Sequence, residues 1–408
     1  MGKNGNLVVG LDLGTTKTCA IVGETTREGI DVIGFASAPS KGLRKGMVIN
    51  IESTVEAIAK VVEEAELMAG CKITSAYTGI AGSHIKGFNS HGVIGIKDNE
   101  VSKHDINRVI EAARAIAIPL DREVIHILPQ EFIVDDQRGI HDPLGMSGVR
   151  LEAKVHMVTS AASSAQNIIK CANRTGLAVK ELVLQPLASS ASTLHDDEKE
   201  LGVVLVDIGG GTTDIAVIKG GSIRYTSVLA LGGDQITSDI AVGLRTSLGQ
   251  AEELKIQHGS ALSSPAEKEE TIEVNALGGG SPRMVSRKFL CQIIQSRVEE
   301  IFSLVHKEIM KSGYREFMTP GVVLTGGTSL LDGITGSAER ILDLPVRVGF
   351  PNTVGGLSEI VKSPIYATAV GLIIYGRNRV SNSHHSKGYK SIFTKLVQTT
   401  KQWLAEVL

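Results

Sequence analysis

The apolar positions of this chain follow strand spacing in two separate regions, and both regions have the same layout. In each, an apolar strand leads to an Asp, a glycine-rich turn follows, and two more strands come next. The predicted strands of the two copies are Leu7–Leu11, Thr18–Val22 and Val32–Ala38, then Val203–Asp207, Asp214–Lys219 and Ser222–Leu231. This repetition predicts a duplicated fold. The strand Val203–Asp207 begins with an uninterrupted apolar run, which is typical of a strand covered on both faces. The fold class we predict is therefore α/β.

Two stretches do not repeat, and we expect each to be an inserted subdomain. Residues 84–162 begin with a strand-like segment and then carry a predicted helix from Lys103 to Ala117, which opens on the capping residue Ser102. Residues 235–288 follow the second copy and form the shorter insertion. The predicted division of the chain is a first half (1–83, completed by 163–198 and 360–377), the first insertion (84–162), a second half (199–234, completed by 289–359), the second insertion (235–288), a linker (378–388) and a terminal helix (389–408).

The C-terminal end of the chain has a different pattern from the rest. Residues 378–388 are rich in Ser, Asn and His and lack periodicity, which predicts a flexible linker. Beyond it, apolar residues fall within an arc of about 160° when they are plotted at about 100° per residue. They are Ile392, Phe393, Leu396, Val397, Trp403, Leu404, Val407 and Leu408. With Lys390 and Lys401 beside this face, the pattern predicts an amphipathic helix on an anionic membrane surface, and a helix docked on the body of the protein is the alternative.

Charge and cysteine content narrow the function classes. Lys and Arg total 42 against 44 Asp and Glu, so the chain has no overall basic field that would favour nucleic acid. The four cysteines are far apart and form no C-x-x-C pair, which disfavours a metal knuckle or a secreted disulfide framework and favours a reducing cytosol. No apolar run is long enough to span a bilayer and the first residues do not form a signal peptide, so we expect a soluble body.

The first glycine turn has the composition of a phosphate-binding hairpin. An apolar strand ends in Asp12, and Gly14, Thr15, Thr16 and Lys17 follow before the next strand. Gly14 permits a close backbone approach, the threonine hydroxyls and the N–H groups of the turn can bond phosphate oxygens, and Lys17 adds a positive charge. Asp12 would then hold Mg²⁺ through water. Taken alone, the motif also fits an ordinary β-hairpin.

The second turn repeats the arrangement with three consecutive glycines, which are costly in a purely structural hairpin. It contributes a second candidate for Mg²⁺, Asp207, followed by Gly209, Gly210, Gly211 and Thr212. Two further segments could complete a nucleotide pocket. They supply Glu252 and Lys255, three apart on one helical face and suited to ribose and base, and the strand-to-helix turn of Gly326, Gly327 and Thr328. A solvated ion pair and a plain loop are the respective alternatives.

In their order along the chain, these motifs resemble the nucleotide site of actin, bacterial actins, sugar kinases and chaperone ATPases. The resemblance implies a duplicated actin-like ATPase fold, ATP and Mg²⁺ as ligands, and a role for Gln185 in orienting an attacking water. A buried amide with a structural role at the start of a helix is the alternative for Gln185. The two insertions and the amphipathic tail make the chain most similar to the FtsA family of bacterial division proteins. This similarity covers essentially all of residues 6–408 apart from the linker.

The resemblance to FtsA implies a scaffold with at most weak ATPase activity, located on the cytoplasmic face of the inner membrane at the division septum. Its implied partners are FtsZ, whose C-terminal peptide would bind residues 235–288, further copies of the chain in filaments, later division proteins through residues 84–162, and inner-membrane lipids through the terminal helix. A pilus-assembly actin-like protein is the alternative. A sugar-kinase-type phosphotransferase fits less well, because the sequence offers no evident polar cluster around an Asp base.

Overall fold

The computed structural model describes residues 7–262, 270–276 and 281–385, with side chains described as far as residue 380. The predicted membrane-facing residues of the terminal helix, from Ile392 to Leu408, therefore lie outside the described residues. Among the helices that are described, none combines the length and the apolar character needed to cross a bilayer.

The first copy of the duplicated pattern forms the strands that the sequence predicts. Its elements are β1 (Leu7–Leu13), β2 (Lys17–Thr25), β3 (Ile30–Pro39), the short hairpin β4 (Leu43–Arg44) and β5 (Met47–Val48), helix α1 (Ile51–Ala69) and β6 (Ser75–Ile80). Helix α1 begins after Asn50, whose side chain accepts a hydrogen bond from the Ser53 N–H, and ends at Gly70 in the left-handed conformation. These caps fix both ends of α1.

The first insertion is a four-stranded antiparallel sheet with one helix against it. Its elements are β7 (Lys86–Gly95), α2 (Lys103–Arg114), β8 (Arg122–Val134), β9 (Gln137–Ile140) and β10 (Arg150–Ala161), and the strand order is β7-β10-β8-β9. The predicted start of α2 is confirmed, because the Ser102 hydroxyl accepts from the Asp105 N–H while the Asp105 carboxylate accepts from the Ser102 N–H. Apolar residues between α2 and the sheet give the insertion a core of its own.

The chain then returns to the first half and crosses to the second. The elements are α3 (Ala162–Arg174), β11 (Ala178–Leu184), α4 (Gln185–Thr193), α5 (Asp196–Leu201), β12 (Val203–Ile208), β13 (Thr213–Lys219), β14 (Ser222–Leu229), α6 (Gly233–Gly243), α7 (Leu248–His258), β15 (Thr271–Val274), β16 (Arg283–Ser286), α8 (Arg287–Ser312), β17 (Val322–Thr325), α9 (Ile334–Leu342), β18 (Val346–Val348), β19 (Gly355–Gly356), α10 (Ser358–Val361) and α11 (Ala367–His385). Three short 3₁₀ turns lie at Arg315–Phe317, Gly327–Leu330 and Pro364–Tyr366.

The two halves repeat one sheet topology, which confirms the predicted duplication. The first sheet has the order β11-β6-β1-β2-β3-β19 and the second has β14-β13-β12-β17-β18. In each, three consecutive strands form an antiparallel meander, and a later strand pairs parallel with the first of them. The aspartates of the two turns therefore lie at equivalent strand ends. Helices α4 and α11 lie between the sheets and pack closely on each other, because Gly371 has no side chain to hold the α4 backbone away.

Helix α11 corrects one sequence prediction. The residues 378–388 were predicted to be a flexible linker, but α11 continues through His385 and includes 378–385. Ser, Asn and His have lower helix propensity than Ala by only a few tenths of a kcal/mol each, and these residues include neither Pro nor Gly. A helix already packed on the body of the protein can therefore extend through them.

Candidate nucleotide site

The first turn places a buried carboxylate at the end of β1. Asp12 is 4% exposed, Lys17 Nζ lies 2.9 Å from Asp12 Oδ2, and Gln185 Nε2 donates to Asp12 Oδ1 at 3.1 Å. Burial alone would lower the pKa of the Lys17 ammonium, but the Asp12 carboxylate beside it raises that pKa above its usual value. Lys17 is therefore charged at neutral pH, as a phosphate-binding residue must be.

The second turn places Asp207 at the equivalent end of β12. The Ser189 hydroxyl donates to Asp207 Oδ2 at 2.7 Å, and the Thr368 hydroxyl lies 3.3 Å from the same oxygen. Burial raises the pKa of Asp207, and the hydrogen bond from Ser189 acts against that rise. A buried carboxylate whose partners are neutral hydroxyls is stabilised by a cation placed nearby.

The two turns touch where the two halves of the fold meet, and we call this junction the cleft. A Cβ atom on Gly210 would overlap Thr16 Oγ1, and one on Gly211 would lie 2.6 Å from Thr15 Oγ1. Backbone at these positions is bare because nothing larger than hydrogen fits between the turns. The Thr15 and Thr16 hydroxyls and the glycine backbone thus lie next to each other, so one polyphosphate can contact both turns.

The third glycine turn also lies against the second. Thr328 Oγ1 donates to the Gly209 carbonyl at 3.1 Å. Gly326 has φ of +83°, and a Cβ there would overlap Asp207 Oδ1 and lie 2.6 Å from the Ile208 carbonyl oxygen. Gly326 is therefore required both by its left-handed backbone and by the close approach to Asp207.

Glu252 and Lys255 form the ion pair that their spacing allows, and they also lie at the cleft. Lys255 Nζ is 2.7 Å from Glu252 Oε2, and it donates to Thr237 Oγ1 at 2.9 Å and to the Gly233 carbonyl at 3.3 Å. The Thr237 hydroxyl donates to Glu252 as well. The pair is thus attached to the start of α6, next to the glycine turns, and its contact with ribose and base stays a prediction.

Sequence reasoning missed two aspartates of the site. Asp234 lies at the start of α6, where its N–H donates to the Gly210 carbonyl at 2.8 Å and its carboxylate accepts from the Thr16 hydroxyl. The Gly-Gly-Asp run of residues 232–234 after an apolar strand was an available signal. Asp214 pairs across the strands with Asp207, and its Oδ1 is buried without a hydrogen-bond partner. Burial, with the Asp207 charge second, raises the pKa of Asp214 to about 8.

These residues fit a Mg²⁺-bound polyphosphate. Gly210 and Gly211 carry no side chains that would cover the N–H groups of their turn, Lys17 supplies positive charge, and Asp12 and Asp207 supply carboxylates. Within the described parts of the chain, no three His, Cys, Asp or Glu side chains come together as a complete metal cage. A metal here would take its other ligands from water and phosphate, which is the habit of Mg²⁺.

The structure brings together the site residues that the sequence predicts within the described ranges. Those in contact around the cleft are Asp12, Thr15, Thr16, Lys17, Gln185, Asp207, Gly209, Gly210, Gly211, Glu252, Lys255, Gly326 and Thr328. Gly14 and Thr212 shape the same two turns: Gly14 N–H donates to the Lys17 carbonyl and Thr212 Oγ1 donates to Asp214. Gly327 begins the 3₁₀ turn that follows Gly326. Their roles toward a ligand remain predictions.

Solved structures of other proteins share the fold. The PilM–PilN type IV pilus biogenesis complex aligns with a TM-score of 0.65 at 18% identity, over 91% of this chain and 98% of that one. MreB5 of Spiroplasma citri bound to ADP aligns with a TM-score of 0.57 at 14% identity, over 94% of this chain and 99% of that one. The predicted actin-like fold is thus confirmed, and at these identities the likeness concerns the fold alone.

Sequence comparisons define the family. A family model described as "Cell division protein FtsA" matches residues 204–371, and one described as "SHS2 domain inserted in FTSA" matches residues 82–159. The cell division protein FtsA of Pseudomonas aeruginosa is 49% identical over 98% of both chains. The FtsA of Escherichia coli K12 is 40% identical over 98% of this chain and 96% of its own. The chain belongs to the FtsA family of cell division proteins.

Proposed function

We propose that this chain is an ATP-binding scaffold that self-assembles and anchors the FtsZ ring to the cytoplasmic face of the inner membrane during division. The observation that carries the nucleotide part is the contact of the two glycine turns, with Thr15 and Thr16 of the first against Gly211 and Gly210 of the second. Two solved structures of similar fold, of Spiroplasma citri MreB5, are described as bound to ADP and to AMPPNP. Membership of the FtsA family supports the division role.

The residues around the cleft would have different roles in binding Mg²⁺-ATP. Lys17 and the hydroxyls of the first turn would bind phosphate oxygens, and Asp12 and Asp207 would hold Mg²⁺. The bound metal would neutralise phosphate charge. Gln185 can orient a water, but an amide cannot remove its proton, and Gln185 Nε2 is already engaged by Asp12. This chemistry favours slow hydrolysis and a role for ATP as an assembly ligand.

The FtsZ contact is assigned to the second insertion, where a groove of about 630 Å³ opens between α6, α7 and β16. Its lining includes the exposed apolar residues Val242 and Leu248 together with Arg245 and Arg283. Apolar contact area flanked by guanidinium groups suits an extended peptide with apolar and acidic side chains. We place the C-terminal peptide of FtsZ in this groove.

The first insertion is assigned to contacts with later division proteins. Val93, Leu144 and Val149 are large apolar residues that it exposes to solvent. Exposed apolar side chains that lie near one another on paired strands are typical of binding surfaces. Residues 93 and 149 belong to or adjoin the paired strands β7 and β10.

Membrane attachment is assigned to the terminal helix, on the strength of its sequence. About eight apolar side chains contribute on the order of 1 kcal/mol each, while ordering about 17 residues costs about 0.5 to 1 kcal/mol each. At the lower ordering cost the two totals nearly cancel, so a single tail binds weakly. Several tails on one filament share a membrane, which raises avidity by about 10² or more, so assembly and membrane binding reinforce each other.

Liposome flotation tests the whole proposal. We expect full-length protein with ATP and Mg²⁺ to float with anionic liposomes and to carry FtsZ with it, while a chain lacking residues 389–408 carries neither. Leu396→Gln places a polar residue on the apolar face, and Thr394→Gln is its matched control on the polar face. The proposal is wrong if the truncated chain floats as well as the full chain, or if full-length protein floats and leaves FtsZ in solution.

A further inference from the structure

Helix α4 touches both candidate metal-binding carboxylates with side chains one turn apart. Gln185 Nε2 donates to Asp12 Oδ1 at 3.1 Å, and Ser189 Oγ donates to Asp207 Oδ2 at 2.7 Å. Residues at i and i+4 lie on one face of a helix, about 6 Å apart along its axis. One turn of α4 therefore spans the distance between two carboxylates that belong to opposite halves of the fold.

A second hydroxyl completes the environment of Asp207. Thr368 Oγ1, on α11, lies 3.3 Å from Asp207 Oδ2 and 3.0 Å from Ser189 Oγ. Each hydroxyl has a single proton, so when Ser189 donates to Asp207, Thr368 donates either to the same carboxylate oxygen or to Ser189. Both arrangements stabilise negative charge on Asp207 Oδ2 with neutral donors.

The two hydroxyls are held by packing as well as by their hydrogen bonds. Ser189 has no exposed surface and Thr368 is 7% exposed. A Cβ on Gly371 of α11 would overlap the Ala188 carbonyl group, so the helices that carry the hydroxyls are in direct backbone contact. Their side chains therefore have little freedom to follow Asp207 if it moves.

We infer that Ser189, assisted by Thr368, is a positioning residue for Mg²⁺-bound nucleotide, and that α4 is the spacer that sets Asp207 relative to Asp12. The inference rests on the proposed binding of ATP at this cleft. A carboxylate that holds a hydrated Mg²⁺ must keep its oxygen directed at one metal water, and hydrogen bonds to a ligand from residues behind it supply that direction. Ser189 should thus affect the Mg²⁺-dependent part of ATP affinity and leave the Mg²⁺-independent part unchanged.

Calorimetric titration of the full-length chain with ATP, once with Mg²⁺ and once with EDTA, measures both parts. For Ser189→Ala we expect the ratio of the two affinities to fall by about 10- to 100-fold, the effect of losing a hydrogen bond to a charged group. Thr368→Val should lower the ratio less, and Thr368→Ser, which keeps the hydroxyl, should restore it. Ser192→Ala is the matched control, because Ser192 is equally buried on α4 but donates to the backbone carbonyls of Ser189 and Ala367.

Thermal unfolding in the absence of nucleotide shows which variants fold. If Ser189→Ala does not fold, Thr368→Val and Thr368→Ser are compared in the same titrations instead. The inference is overturned if Ser189→Ala or, in its place, Thr368→Val keeps the affinity ratio of Ser192→Ala, or if affinity falls equally with Mg²⁺ and with EDTA. A wild-type chain that binds no ATP in either condition overturns the proposed function and this inference together.

Discussion

Replacing Gly210 by Ala should separate ATP binding from folding, because of what the added methyl group would meet. It would overlap Thr16 Oγ1 and lie 2.7 Å from Asp234 Oδ1. Both atoms are at the ends of side chains that can rotate, and the Gly210 backbone is outside the left-handed region. The free energy of unfolding should therefore fall by less than about 1 kcal/mol.

ATP binding should be affected more than folding. An ordinary contact between the methyl group and its neighbours needs about 3.5 Å, so the Thr16 hydroxyl and the Asp234 carboxylate would have to rotate away by about 1 Å or more. A displacement of that size moves the Thr16 hydroxyl out of the position from which it would bind a phosphate oxygen. We expect ATP affinity to fall by at least about tenfold, which corresponds to about 1.4 kcal/mol, in calorimetric titration with Mg²⁺.

Two other glycines serve as controls for this reasoning. Gly326→Ala would meet the Ile208 carbonyl oxygen and Asp207 at a left-handed backbone, and should cost about 2 to 4 kcal/mol of folding free energy in urea denaturation. Gly29→Ala meets no atom within 4 Å and should change neither quantity. Wild-type ATP affinity in Gly210→Ala, or wild-type stability in Gly326→Ala, would refute the reasoning.

Two further predictions concern buried charge. Lys17→Met leaves the Asp12 carboxylate buried without its cation, so it should lower unfolding free energy by about 3 kcal/mol in urea denaturation, and a loss below 1 kcal/mol would contradict this. Burial, with Arg379 second, lowers the pKa of His126 to about 3, so the folded state keeps His126 neutral while the unfolded state takes up a proton below about pH 6.5. The free energy of unfolding should therefore fall as the pH falls below about 6.5. His126→Leu should reduce the slope of unfolding free energy against pH by up to about 1.4 kcal/mol per pH unit between pH 6 and 4. An unchanged slope would exclude His126 as its source.

The duplicated sheets could be predicted from sequence because their signal is local. Each copy places apolar strand, Asp and glycine turn within a short stretch, and the strands Val203–Ile208 and Thr213–Lys219 are buried along nearly their whole length. The helical spacing of the apolar residues in α1 and α8 is an equally local signal. The end of α11 is predicted wrongly, because polar composition indicates a linker in residues 378–388 whereas the helix continues through His385.

Ser189 and Thr368 could not be predicted, because their meaning depends on partners far along the chain. Thr368 is 161 residues from Asp207 and 179 from Ser189. A buried hydroxyl has no periodic signature, and α4 contains several of them, including Ser190 and Ser192. Only the crossing of α4 and α11 selects which hydroxyl meets the carboxylate.

The spacing of Glu252 and Lys255 predicts their ion pair correctly, but it does not show where in the fold that pair lies. Acid and base three residues apart on a helix predict an ion pair wherever the helix lies, and that ion pair forms at 2.7 Å. What distinguishes it from a solvated pair is the position of Lys255, whose Nζ also donates to Thr237 and to the Gly233 carbonyl beside the glycine turns. An ion pair and a ligand site are therefore not alternatives here, because the same lysine can be held by Glu252 until a ligand oxygen competes for its protons.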